Sequence, residues 1–383
     1  MAKLYGAGAL YHGNGSLEEL KTIEGKKAII VTGHSSTRKN GSLQRTEAIL
    51  KEMGIECMVF DGVEADPSID TVRKGAACMS EFQPDWIIGL GGTSAIDGAK
   101  AMWVLYEYPE LPFEQMIKPF GIPTLRNKAR FVAIPTTSGT GTETTSLAVI
   151  TDREKGVKYP LASHELQPDL AILDGDLCKS MSPSITANTG MDALTHCIEA
   201  YVSNIDDNYA DAFAKGGIEL IFANLKAAVE NPENSEVRQN MHDASALAGY
   251  AFTNAWLGIV HSMAHQMGGI FGIPHGRANA LALPNVMRFN AKETDRYADL
   301  ARLVGKETTA DFIAAVEDLK KEINVPASIR EYGIEKDAWM NEVKRMAQNA
   351  YNDVCTSFNP RKITVEEFEK LYTALYEGEA INF

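Results

Sequence analysis

Two apolar stretches of this sequence carry side chains able to hold a divalent metal ion. In Gly190-Met191-Asp192-Ala193-Leu194-Thr195-His196 an acid and a histidine stand four residues apart, which puts both on one face of a helix. In Val260-His261-Ser262-Met263-Ala264-His265 two histidines repeat that spacing, and His275 follows in Ile273-Pro274-His275-Gly276. A lone buried histidine is usually a core side chain with a local partner. Four of them with an acid, in uncharged surroundings, would each need a partner, and a shared cation serves them all. The mixed carboxylate and imidazole set suits Fe(II), Zn(II) or Mn(II). It is not the HExxH arrangement of zinc proteases, because Ser262 stands where the glutamate general base would be.

The surroundings are unusually free of charge. No Asp, Glu, Lys or Arg occurs between Asp243 and Arg277. That run is long enough to span a bilayer. It also holds His261, His265, His275, Asn254, Gln266 and several glycines and serines, which a lipid-facing segment rarely tolerates. It therefore reads as one or two helices buried inside a soluble protein.

A second chemistry is suggested earlier in the chain. Gly89-Leu90-Gly91-Gly92-Thr93-Ser94 leaves the strand-like run DWIIGLGG and enters the helical run AIDGAKAMWVLY. Glycines there let a backbone approach a ligand, and a helix N-terminus offers free N–H groups to a pyrophosphate. The sixth position is Ser94, so this is not the GxGxxG fingerprint, and a tight turn alone would explain the glycines. Asp97 and Lys100 in that helix read as a surface ion pair or, for Lys100, as charge near the phosphates. A second polar loop, Pro135-Thr136-Thr137-Ser138-Gly139-Thr140-Gly141-Thr142-Glu143, follows the strand RFVAIP. Its hydroxyls and glycines suit diphosphate or ribose contacts at the end of the sheet where open α/β folds bind ligands. The plain alternative is a loop capping a helix. A third turn, Thr32 to Gly41, follows KAIIVTG and holds Gly33, Ser36, Arg38 and Lys39 but no acid. An acid would meet the ribose 2′-OH of NAD, and a basic residue accepts a 2′-phosphate. The turn thus predicts NADP(H) in preference to NAD(H), unless it is merely a solvated basic turn.

These loops require a frame, and the sequence supplies one. Apolar, β-branched runs at 27–33, 56–62, 85–92, 130–135, 146–152 and 169–175 alternate with helix-length segments such as SLQRTEAILKEMG and SIDTVRKGAACMSEF. Strands alternating with helices predict a parallel sheet covered on both faces, in a doubly wound Rossmann-like layer. After about residue 180 strand-like runs stop. Helical patterns with apolar spacings of three and four take over, including ITANTGMDALTHCIEAYVS, YADAFAKGGIELIFANLKAAVE, TADFIAAVEDLKKEI and TVEEFEKLYTALYE. The fold class is α/β plus all-α, with a dinucleotide-binding domain at 1–180, a linker at Met181-Ser182-Pro183, and a helical metal-binding and catalytic domain at 181–383.

Composition narrows the partners. The 383 residues are 45% hydrophobic and 23% charged, ordinary for a globular chain of two or three domains. Lys plus Arg is 37 against 51 for Asp plus Glu, a net charge of −14 that argues against nucleic acid or an anionic membrane as partner. Five scattered cysteines without CxxC spacing fit a reducing cytoplasmic setting, and MAKLYGAGALYHGNGS carries no secretory apolar core.

Taken together, these motifs resemble the iron-containing (group III) alcohol dehydrogenase family, in pattern nearest its NADPH-using butanol and aldehyde-reducing members. The resemblance runs almost end to end, through GLGGTSAIDGAK, PTTSGTGTET, KYPLAS, PDLAILDGDL, TGMDALTHCIEAYVS, GIVHSMAHQMGGIFGIPHGRANALALPNVMRFN and NPRKIT. It implies metal ligation by Asp192, His196, His261 and His275, with Fe(II) or alternatively Zn(II). His265 would be a proton-relay group beside the nicotinamide. Cofactor contacts would come from Gly91, Gly92, Thr93, Thr136, Thr137, Thr140 and Lys158, with Gly33 standing where NAD-using members carry an aspartate. Thr93, Thr142, Gln266 and Arg277 depart from the usual pattern, and none of these changes removes a ligand.

The reaction so implied is hydride transfer between nicotinamide and a short aldehyde or primary alcohol, the metal polarising the oxygen in a cleft between the domains. Phe252, Trp256 and Met263 would wall an apolar substrate. Arg277 opens the alternative of a small anionic aldehyde. A glycerol-dehydrogenase or dehydroquinate-synthase type of enzyme is a further alternative that the HSMAH and PHG motifs disfavour. The expected assembly is a homodimer or larger homo-oligomer.

Overall fold

The computed structural model describes residues 3–155 and 157–383. Its strands are β1 (Ala9–His12), β2 (Lys27–Gly33), β3 (Glu56–Val63), β4 (Trp86–Gly91), β5 (Arg130–Pro135), β6 (Leu147–Asp152), β7 (Val157–Ala162) and β8 (Leu170–Leu173). Among them run the helices α1 (Ser36–Lys39), α2 (Ser42–Glu52), α3 (Ile69–Phe82), α4 (Thr93–Glu107) and α5 (Phe113–Met116). The rest is helical: α6 (Pro183–Val202), α7 (Asn208–Glu230), α8 (Ser235–Ala255), α9 (Ile259–Phe271) and α10 (His275–Asn290) come first. They are followed by α11 (Arg296–Leu303), α12 (Thr309–Glu322), α13 (Ile329–Tyr332), α14 (Lys336–Tyr351) and α15 (Val365–Glu377).

The chain divides into two compact units. Residues up to Met181 form the first together with Glu233–Gly249, and Ser182–Pro232 with Tyr250–Phe383 form the second. In the first unit six strands make one sheet in the order β1-β8-β5-β4-β2-β3, every pairing parallel. Successive residues of a strand point to opposite faces. Ile29, Val31, Ile87 and Phe131 accordingly enter one buried cluster, and Ala28, Ile30, Ile88 and Val132 enter another. Both faces being covered is why these strands read as unbroken apolar runs. The strand expected at 146–152 belongs elsewhere: β6 pairs antiparallel with β7 in a separate two-stranded ribbon. The charged and proline-bearing sequence of β7, VKYPLA, gave no strand signal.

A helical segment placed with the second domain by sequence packs in the first unit instead. The first half of α8 carries His242 and Ser245, and both hold the loop that follows β5. Ser245 Oγ accepts the backbone N–H groups of Gly139 (2.7 Å) and Gly141 (3.2 Å). His242 Nδ1 lies 3.0 Å from Ser138 Oγ. A Cβ on Gly249 would sit 2.2 Å from Thr144 Oγ1, so only glycine lets helix and loop meet so closely.

Asp97 and Lys100 form neither a surface pair nor a phosphate contact. Lys100 is fully buried, and its Nζ donates to the carbonyls of Thr142 (2.7 Å), Thr145 (3.0 Å) and Leu147 (3.0 Å). Asp97 accepts Thr142 Oγ1–H at 2.7 Å and Val149 N–H at 2.9 Å. Burial pushes the Lys100 amine down to about 8. The pair clamps the chain between the β5 loop and β6.

The expected linker Met181-Ser182-Pro183 falls at the boundary between the two units, and it also starts α6. Ser182 Oγ accepts Ile185 N–H at 3.3 Å, and Pro183 occupies the first turn, where its missing N–H costs nothing. The uncharged run becomes the end of α8, all of α9 and the start of α10. Among the described residues, no helix is long and apolar enough to cross a membrane.

Two stability predictions follow from the buried polar groups. Lys100→Met strands three carbonyls and should cost about 3–5 kcal/mol in denaturant unfolding. Unchanged stability would contradict the clamp. Burial holds the His242 imidazole down at about 4, against the upward pull of a hydrogen bond with the Pro135 backbone. Between pH of about 6.5 and about 4 the unfolded chain then binds a proton that the native chain refuses, so stability falls as pH drops through that window. His242→Asn should lose less unfolding free energy than the parent between pH 7 and 5, and an equal loss would contradict it.

Candidate functional site

Three elements of the second unit bring the metal-type residues together. Asp192 and His196 are one turn apart on α6, His261 is in the first turn of α9, and His275 opens α10. One potential ligand atom from each lies within 4.8 Å of all the others. His275 Nε2 is 3.5 Å from Asp192 Oδ1, and His196 Nε2 is 3.9 Å from the same oxygen. Donors bonded to a tetrahedral ion at about 2.0–2.2 Å stand about 3.3–3.6 Å apart. The spacing and the donor set, one carboxylate and three imidazoles, therefore fit a first-row divalent ion. Gly276 makes the approach possible: a Cβ there would be 2.0 Å from the Asn188 carbonyl on α6.

Asn279, one turn after His275, fits the same reading. Its Nδ2 donates to Asp192 Oδ1 at 2.7 Å and approaches His261 Nε2 at 3.2 Å and His275 Nε2 at 3.3 Å. One amide nitrogen, with only two hydrogens to give, thus faces three acceptors that a cation would satisfy together, while the Asn279 Oδ1 is buried without a partner.

Glu199 fixes His261 from behind. Its Oε2 is 2.5 Å from His261 Nδ1, and its Oε1 accepts Val260 N–H at 2.7 Å. Burial pushes the Glu199 carboxyl up to about 8, and the backbone N–H donors pull the other way. Burial and the neighbouring imidazoles push His261 far down, so its ring is neutral; an ionised Glu199, as beside a bound cation, would take the Nδ1–H and leave the Nε2 lone pair for the cluster.

His265 is half-exposed beside this cluster, its ring stacked on His275 with centroids 5.6 Å apart. Its Nδ1 donates to Asp353 Oδ2 at 2.8 Å. Burial pushes the Asp353 carboxyl up, but the bonds from His265 and from Cys355 N–H outweigh it and hold it below the usual range. The pairing occupies Nδ1 and leaves Nε2 as the ring's other polar atom. Phe252 packs on His196 at 4.5 Å, whereas Trp256 stacks on Phe358 and Met263 is fully buried. Arg277 is engaged by Asn188, its Nε donating to Oδ1 at 2.6 Å.

Glu199, Asn279 and Asp353 escaped the sequence reading. The first two had a signal, since Glu199 lies three residues after His196 and Asn279 four after His275, each on the ligand face of its helix. Asp353 is 88 residues from His265 and had none.

In the first unit the glycine and hydroxyl loops gather at the C-terminal ends of adjacent strands. Gly91 ends β4 with φ of 143°, and Gly92 precedes α4 without any side-chain cap, leaving that helix end open to an anion. Thr136 N–H donates to the Gly91 carbonyl at 2.9 Å, and Thr93 and Thr140 hydroxyls meet at 2.8 Å. Thr137 lies beside Gly92, where a Cβ would be 3.5 Å from it. Gly33 ends the neighbouring β2, and Ser36, Arg38 and Lys39 form α1 just beyond. Lys158 lies on β7, its Nζ 2.7 Å from Asp66, whose N–H donates to Ser94 Oγ at 3.2 Å. These uncapped, glycine-lined turns fit a dinucleotide.

A parallel sheet with glycine-lined turns and a helical unit with an Asp/His cluster are the parts a metal-dependent dehydrogenase needs. Comparison with known proteins agrees. The iron-containing alcohol dehydrogenase family matches at residues 7–175, and the Fe-containing alcohol dehydrogenase family, C-terminal, at residues 186–376. The chain is 46% identical over 381 residues, 98% of each chain, to an NADPH-dependent butanol dehydrogenase of Clostridium saccharobutylicum. It is 40% identical to the bifunctional aldehyde-alcohol dehydrogenase AdhE of Escherichia coli (strain K12), covering 95% of this chain and 44% of that longer protein. The structure of an iron-containing alcohol dehydrogenase from Thermococcus thioreducens matches with a TM-score of 0.92 at 35% identity, over 98% of this chain and 100% of that one. The chain belongs to the iron-containing alcohol dehydrogenase family. It is an oxidoreductase of the nicotinamide- and metal-dependent kind.

Glu199→Gln keeps the shape but weakens the hold on His261. It should lower metal affinity about 10–100-fold in chelator competition, with the fold intact by circular dichroism. Unchanged affinity would remove Glu199 from the metal site.

Proposed function

We propose that the protein interconverts short aldehydes and primary alcohols with NADP(H), using a metal ion, Fe(II) in the first instance, held by Asp192, His196, His261 and His275. The observation that carries this reading is the convergence of one carboxylate and three imidazoles within 4.8 Å. When bound, the metal supplies Lewis acidity at the substrate oxygen and the nicotinamide supplies or accepts the hydride.

The chain's own residues do the remaining work. Glu199 keeps His261 in the tautomer that presents Nε2 to the metal. Asp353 holds His265 by Nδ1, so that Nε2 can pass a proton to or from the substrate oxygen. Phe252 lines the His196 side with an apolar ring, which favours an uncharged aliphatic substrate. The uncapped start of α4 and the Thr136, Thr137 and Thr140 loop would bind the diphosphate, with Lys158 adding charge. Gly33, Ser36, Arg38 and Lys39 would receive the 2′-phosphate, a reading supported by the likeness to an NADPH-dependent relative. The free thiols of Cys57, Cys78, Cys178, Cys197 and Cys355 suit a cytoplasmic enzyme, and a homo-oligomer is part of the same proposal.

The test is butanal reduction by apoprotein loaded separately with Fe(II) or Zn(II), assayed with NADPH and NADH. Cofactor oxidation with at least one metal, and a lower KM for NADPH than for NADH, is the expected result. No oxidation in any combination would exclude short aldehydes as substrates, and an NADH preference would overturn the reading of the turn after β2.

A further inference from the structure

We propose that Asp61 sets how strongly the protein favours NADP(H) over NAD(H), by competing with the cofactor's 2′-phosphate for Arg38. The inference rests on the reading that the turn after β2 meets the adenosine ribose.

The sheet order puts the C-terminal ends of β4, β2 and β3 side by side. The glycine turn that suits the pyrophosphate leaves β4, and the basic turn leaves β2. A ribose continuing in that direction would next reach the end of β3. There the strands fall out of register: Val31 pairs with Phe60 but Gly33 with Val63, so Asp61 and Gly62 together oppose the single residue Thr32. Such a bulge re-aims a side chain. The Asp61 carboxylate meets Arg38, accepting from Nη2 at 2.6 Å and from Nε at 3.2 Å on one oxygen. Both side chains are about half-exposed, at 46% for Arg38 and 48% for Asp61, within reach of a ligand from solvent.

An acid in this region serves the 2′-OH of NAD, and an arginine serves the 2′-phosphate of NADP. This chain has both, bonded to each other. With NAD(H), Asp61 neutralises Arg38 and keeps lone pairs for a ribose hydroxyl. With NADP(H), Arg38 must be shared with or taken from Asp61, and a carboxylate then faces a phosphate dianion. Asp61 therefore weakens NADP(H) binding and spares NAD(H), which narrows the preference created by the basic turn. An exposed ion pair of this kind is worth little, so the effect is up to about fivefold.

The experiment measures KM for NADPH and for NADH with one aldehyde in the metal-loaded enzyme, comparing Asp61→Asn and Arg38→Gln with the parent. Asp61→Asn should lower the NADPH KM about two- to fivefold without lowering that for NADH, and the gain should shrink at high salt. Arg38→Gln should raise the NADPH KM about tenfold. If Arg38→Gln does so while Asp61→Asn leaves the NADPH KM unchanged or raises it, the competition is overturned and the basic turn stands. If Arg38→Gln leaves the NADPH to NADH ratio unchanged, the turn does not meet the 2′-phosphate, and the inference falls with that reading. Thermal melting of both variants separates these outcomes from misfolding.

Discussion

The candidate metal centre depends on one buried contact, the 2.5 Å approach of Glu199 to His261. A carboxyl taken out of water is costly unless donors surround it. Glu199 is met by the His261 Nδ1 and by backbone N–H groups at the start of α9, among them that of Val260. The contact thereby fixes the imidazole: it sets the ring's placement and, with Glu199 ionised, favours the tautomer that carries its proton on Nδ1. A Cβ on Gly258 would stand 2.9 Å from the Glu199 Oε1, so a glycine is required where α9 begins. The same economy operates at Gly276, which lets α10 start against α6 and delivers His275. Within the long uncharged run from Asp243 to Arg277, the stretch from Leu257 to Ala264 that carries His261 is buried throughout, where a charge would need a partner, whereas His265, Gly269, Gly272, Pro274 and His275 are exposed.

The first unit uses buried polar groups to shape loops rather than to do chemistry. Ser245 and His242 hold the loop after β5 from α8, and Lys100 with Asp97 holds its far end. The backbone N–H groups of Gly139 and Gly141 are spent on Ser245, so the hydroxyls of that loop and the open start of α4 are what remain for a ligand. The sequence leaves Lys100 open to two readings, a surface partner of Asp97 or charge near the phosphates. In the fold its three carbonyl partners use every proton it carries.

What the sequence disclosed, it disclosed through local pattern. The β2, β4 and β5 runs, the glycine turn and the i, i+4 pairs on α6 and α9 are all decided within a few residues. The likeness to the dehydrogenase family rests in large part on the glycine turn and on the α6 and α9 segments, with KYPLAS, PDLAILDGDL and NPRKIT adding to it. What stayed hidden depends on long-range pairing. Nothing near residues 157–162 announces that VKYPLA pairs with β6 across a short turn. Nothing near Asp353 points to His265, and nothing near Asp61 points to Arg38, 23 residues away. The first half of α8 has an ordinary helical pattern, and its packing with the first unit is fixed by contacts distant in sequence, with the β5 loop and with Leu173, Gly175, Asp176 and Met181. Glu199 and Asn279 lie between these extremes: their spacing from known candidates was visible, but their burial was not.

The account's central claim is that one metal ion is held by one carboxylate and three imidazoles. Anomalous diffraction at the iron and zinc edges from crystals of the metal-loaded protein tests it most directly. The account predicts a single peak bonded to Asp192 Oδ, His196 Nε2, His261 Nε2 and His275 Nε2 at about 2.0–2.2 Å, with the Asn279 amide displaced from its present contacts. A peak at other residues, or none at full metal loading, would contradict it.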